Sequence, residues 1–185
     1  MNLTGSLHRP QVIPGVRWAK TMMLPHEAKE EFIGRFYNKI HVIFNWERFK
    51  NEDWPIDIIL LENNIDVNKW YTPWYVDLNG IEANYNAPNA IPLSINGVLC
   101  SEHIMNKRNK KVSQILMECK RLAQPIKFDI PAYELGNGKY LVLDGNHRII
   151  ALLKHGLRFV VQAFVLRGPI DEGIVADLLH WKSAI

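Results

Sequence analysis

Residues 139–166 read KYLVLDGNHRIIALLKHGLRFVVQAFVL, and no other stretch restricts the fold as strongly. Two apolar runs of strand length, 139–144 and 158–166, flank a segment with helical apolar spacing from Asn146 to Lys154. Gly156 stands at the C′ position that closes such a helix. Further upstream, 91–95 reads as a short strand, and Val112, Ile115, Leu116, Cys119 and Leu122 mark one face of a helix over 110–123 that Pro125 ends. A strand over 126–135 contains Pro131, which suggests an edge or bulged strand. The GNG turn at 136–138 joins it to the return strand. An amphipathic helix is expected over 171–184. The order is β-α-β-β-α-β-α over residues 91–185, which predicts an α/β (α+β) fold with a small mixed sheet and helices.

The first half is less patterned. A helix over 25–40, a strand over 54–62 and an extended aromatic segment over 69–78 are expected. Residues 79–92, rich in Asn, Pro and Gly, read as a linker. The division expected is therefore an N-terminal extension, 1–90, packing on a core of 91–185.

The junction Asp144-Gly145-Asn146-His147-Arg148 carries the chemistry. A helix N-terminus offers unpaired N–H groups and partial positive charge to an anion. Gly145 allows close backbone approach. Arg148 can contact phosphate in a bidentate manner. His147 can donate to phosphate or move a proton, and Asp144 can hold a magnesium ion. The same residues admit a purely structural reading, in which Asp144 caps the helix and pairs with Arg148 while His147 decorates the surface.

The run GKYLVLDGNHRIIALLKHG, 138–156, resembles the ParB/sulfiredoxin superfamily, in which a strand runs into a G-x-x-R-x-x-A signature at a helix N-terminus. Gly145, Arg148 and Ala151 match it, and the resemblance spans about residues 90–168. It implies nucleotide binding by Gly145, Asn146, His147 and Arg148, with ATP or another nucleotide and Mg2+ at Asp144. It also implies catalysis by Asp144, His147 and Arg148, with Glu102 or His103 as a further base or ligand. Sulfiredoxin has a cysteine where this chain has Asn146, so sulfinic-acid reduction is not expected. Chromosome-partitioning members continue into DNA-reading and dimerisation domains, and with 17 residues after Gly168 a centromere-binding clamp is not expected. The free serine kinases carry D-G-H-H-R against D-G-N-H-R here. The size and the N-terminal extension are similar to the short plasmid-borne fertility-inhibition proteins of the Osa type. That likeness implies ATP hydrolysis and DNA cleavage that inhibit conjugative or T-DNA transfer, with a conjugation or secretion component as partner. A small-molecule kinase and a non-catalytic nucleotide-gated binding protein are the alternatives.

Residues 101–111 read as a basic loop whose Lys107, Arg108, Lys110 and Lys111 would hold nucleotide or DNA phosphates without reading sequence. The loop is equally well explained as solvated. A net charge of +3 permits such a partner without requiring it. The six tryptophans, four of them between 46 and 74, suit a protein-binding surface, base stacking or packing of the extension. Cys100 and Cys119, in no metal-binding spacing, read as free thiols of a reducing compartment. Walker, dinucleotide, HExxH and GxSxG patterns are absent. Without an apolar leader or a spanning run, the expectation is a cytoplasmic protein that reaches the inner membrane only through a partner.

Overall fold

The computed structural model describes residues 16–17, 25–62 and 65–181. Strands β1 (Val16–Arg17), β2 (Ile56–Leu61), β3 (Trp70–Val76), β4 (Glu82–Ala83), β5 (Ile91–Ser94), β6 (Ile126–Gly136), β7 (Lys139–Val142) and β8 (Phe159–Leu166) form one sheet. Its order is β1-β2-β8-β6-β7-β3-β4, with β5 paired to β3 off this path. The β6–β8 and β3–β7 pairs are parallel and the others antiparallel, so the sheet is mixed as expected.

Both faces of this sheet are covered, which explains why its strands read as continuous apolar runs. Along β8, Val161, Ala163 and Val165 face one core, while Phe164 and Leu166 face the other. The first core is closed by helices α3 (Ile95–Cys100), α4 (Glu102–Cys119) and α5 (Asn146–Lys154). The second is closed by α1 (Pro25–Phe36), α2 (Trp46–Asn51) and a 3-10 turn over Ala176–Trp181. In α1, Ala28, Phe32 and Phe36 repeat every four residues and present a single buried stripe.

Several expectations change. Within 1–90 the described strands belong to the sheet itself rather than packing on a finished core: β2 pairs along its whole length with β8, and β3 pairs with β7. Segment 79–92 is no boundary, since it contains β4 and begins β5. The basic stretch 101–111 is helical, because Ser101 caps α4 by accepting from the Ile104 amide (3.4 Å) and Ile104 and Met105 extend the buried stripe upstream. Leu122 lies beyond α4 and is exposed. Strand β6 is central rather than an edge. Its Pro131 directs its carbonyl toward the Leu143 amide (2.9 Å), past the last residue of β7, where no ladder donor is required. No bulge accompanies Pro131; the register of β6 shifts only at the hairpin turn, between Glu134 and Gly136. The helix expected over 171–184 is reduced to the six-residue 3-10 turn. Asp171 is held by Arg48 and accepts from the Gly173 amide (2.8 Å) and, through its carbonyl, from the Ile174 amide (3.1 Å), so 172–174 form a turn, and Val175 then bridges Phe44 before the 3-10 helix begins. Residues 182–184, like Trp18, lie outside the described residues. The other tryptophans are buried or half-buried, which is the packing role.

No helix among the described residues is long and apolar enough to cross a membrane. Cys100 and Cys119 are free thiols, the first exposed and the second buried.

Candidate functional site at the β7–α5 junction

The junction forms as the spacing predicts. Strand β7 ends at Val142, and α5 begins at Asn146. Gly145 is the N-cap residue, in the left-handed region at φ 88°. A Cβ there would meet Ile130 Cγ2 at 2.8 Å, so both conformation and space call for glycine. No side chain caps the helix. Asp144 therefore does not play the capping role, and it does not pair with Arg148. Its nearest basic group is His41 Nε2, 4.0 Å from Oδ1.

Asp144, Asn146 and His147 line a cleft of about 390 Å3 together with Trp74, Arg108 and Glu82. The cleft continues past Tyr75, Tyr85 and Asp177, with the segment 41–43 on its other side. A break in the β3–β5 register between Tyr71 and Tyr75 accompanies three consecutive buried residues, Trp74, Tyr75 and Val76. Trp74 thereby meets the His147 ring edge-on at 4.8 Å, and the Arg108 guanidinium lies 5.0 Å from the Trp74 ring. Burial pushes the His147 imidazole below its ordinary value, the charges of Arg108 and Lys111 push it further, and Asp144 opposes them. The imidazole is thus neutral at neutral pH, able to accept a proton. Asn146 is buried and donates through Nδ2 to the Val142 carbonyl (3.3 Å).

At the far end, Tyr75 donates its hydroxyl to the buried Asp177 carboxylate. Burial raises the Asp177 pKa above the usual carboxylate range despite that hydrogen bond. His180 packs on Tyr75 at 4.7 Å and bonds the Tyr85 carbonyl, tying the 3-10 turn to the cleft wall.

The sequence-derived residues divide accordingly. Asp144, Asn146 and His147 come together with Arg108 at the cleft, next to Gly145. Arg148 does not line it: its exposed guanidinium lies over Phe128 at 5.1 Å. Glu102 and His103 are exposed in the first turn of α4 and do not line the cleft either. Lys107 and Arg108 both pair with Glu82, while Lys110 and Lys111 are exposed. Glu82, Tyr75, Tyr85, His41 and Asp177 were not legible as site residues, because each reaches the cleft only through sheet pairing or loop packing. Trp74 had a local signal only in the cluster of tryptophans.

Among the described residues no group of three or more His, Cys, Asp or Glu side chains gathers. Asp144 alone suits Mg2+, which keeps several waters and takes one or two carboxylates with substrate phosphates. The cleft also falls within the size range of small-ligand sites, roughly 300–1,000 Å3. No family model, curated protein or solved structure matches the chain.

Proposed function

We propose that the protein binds a nucleotide in this cleft and carries out phosphate chemistry on it, with ATP as the first substrate to test. The carrying observation is that an uncapped helix N-terminus, Asp144, the neutral His147 and Arg108 meet in one compact cleft. The likeness to the G-x-x-R-x-x-A signature supports this reading through Gly145 at the junction, but not through Arg148, which lies outside the cleft. In hydrolysis a water oxygen forms the new bond to the γ-phosphorus as the bond to the leaving diphosphate oxygen breaks. His147 takes the water proton, and Arg108 with the first α5 amides meets charge on the equatorial oxygens. Mg2+, when bound, neutralises phosphate charge, and Asp144 is the side chain that would hold it.

Of the cations expected along a DNA strand only Arg108 lines the cleft, while Lys107, Lys110 and Lys111 lie outside its lining and Arg148 rests on Phe128. The support therefore runs to a small ligand. DNA cleavage and inhibition of plasmid transfer enter as outcomes of the same experiment.

Full-length protein is incubated with ATP or CTP, with and without magnesium, beside single- and double-stranded DNA. Magnesium-dependent phosphate release that is lost in His147→Ala is expected. Arg108→Ala should weaken nucleotide binding about ten- to a hundredfold, the loss of a charge-assisted contact. Arg148→Ala should stay within about twofold, as an exposed substitution away from the ligand. Failure to bind or turn over either nucleotide overturns the reading. DNA nicking without nucleotide turnover replaces it with a nuclease.

A further inference from the structure

The Glu82 carboxylate pairs with both Lys107 and Arg108, consecutive residues of α4. Its side chain is only 14% exposed, and it lines the cleft. Arg108 is the same cation that rests on Trp74 beside His147. One acidic group shared by two cations reproduces what a phosphate takes from a protein: charge-assisted donors converging from one side. The element carrying Glu82 is slight. Strand β4 is two residues long and is held to β3 through Val76–Glu82 and Tyr75–Ala83. The chain on both sides is rich in Asn, Pro and Gly.

We propose that Glu82 is a built-in surrogate anion that occupies the phosphate subsite of the cleft until a polyphosphate displaces it. The site thereby selects ligands with two or more linked phosphates over monophosphates and carboxylates. This inference rests on the nucleotide reading above. In the cleft lining, Glu82 and Asp144 face Arg108, while Lys107 reaches Glu82 from outside that lining, so an anion of low charge gains little by exchanging with Glu82. A di- or triphosphate carries more charge, reaches both cations at once and leaves the displaced carboxylate to water. Segment 77–90 then loses its tie to α4.

Calorimetric titrations of full-length wild type and Glu82→Gln with inorganic triphosphate, pyrophosphate, orthophosphate and acetate test this. Wild type should bind in the order triphosphate, pyrophosphate, orthophosphate, with acetate weakest. Glu82→Gln leaves two cations unpaired and should bind orthophosphate roughly tenfold tighter or more, flattening that order. Hydrogen exchange on wild type alone supplies an independent reading: saturating triphosphate should speed exchange over 77–90. Unchanged or weaker orthophosphate binding by Glu82→Gln, or slower exchange over 77–90, overturns the role of Glu82 while ATP binding still stands. If neither triphosphate nor ATP binds wild type, both this inference and the nucleotide reading fall.

Discussion

His147 keeps its neutral form into mildly acidic solution, because burial and the charges of Arg108 and Lys111 outweigh the pull of Asp144. A base with a lowered pKa stays deprotonated further down the pH scale. The acid limb of the phosphate-release profile should therefore lie below about 6.5, the ordinary imidazole value. Arg108→Gln removes the largest of the charges pressing on it, and the limb should move upward in a pH–rate titration. Asp177 shifts in the opposite sense, and its linkage to stability has a definite sign. Its folded pKa is raised, so the contribution to stability is fully present below the ordinary aspartate pKa and is lost as pH rises through the raised value. Asp177→Asn keeps an oxygen for the Tyr75 hydroxyl and has no carboxylate to ionise. Thermal melts of that variant should show a smaller loss than wild type as pH rises from the ordinary aspartate value of 3.8 to neutrality, with no loss at neutral pH.

At the level of single elements, the β7–α5–β8 unit is legible in the sequence because every local signal agrees. Both strands carry apolar runs, Gly145 opens the helix and Gly156 closes it. Legibility ends where a residue depends on a partner far along the chain. The pairing of Glu82 with Arg108 spans 26 positions, and nothing in either neighbourhood announces it. The 101–111 segment misleads because its charges are those of an exposed helical face, and only Ser101 marks the start. Pro131 misleads because a proline is tolerated in a central strand when its missing donor falls beyond the neighbouring strand's end. Gly145 is the residue on which the junction turns. Gly145→Ala must bear both the left-handed backbone and the contact with Ile130, and should destabilise by about 2–4 kcal/mol. Urea denaturation is the measurement, with an unchanged midpoint counting against this account of the junction.

Over the whole molecule, the sheet interleaves the two halves of the chain. Strand β8 lies between β2 and β6, and β7 lies between β3 and β6. Removing residues 1–90 strips a partner from both β8 and β7 and uncovers the core that α1 and α2 close. Residues 91–185 expressed alone should not fold: far-ultraviolet circular dichroism should show little regular structure, and thermal melts no cooperative transition. A cooperative melt by that fragment would restore the view of the first ninety residues as an accessory. The motif region could be placed from sequence, but this interleaving could not, because strand pairing across a hundred residues leaves no periodic mark.

The cleft takes one wall from residues 41–43 and another from Asp177. On a ribosome, the strand-to-helix motif emerges well before Asp177 does, and with an open wall it can hold no ligand in the manner of the finished protein. Whatever the cleft does is withheld until Asp177 has been made and folded into place. A bound ligand then clasps segment 41–43 and Asp177 together across the cleft, so occupancy also guards the folded state against unravelling.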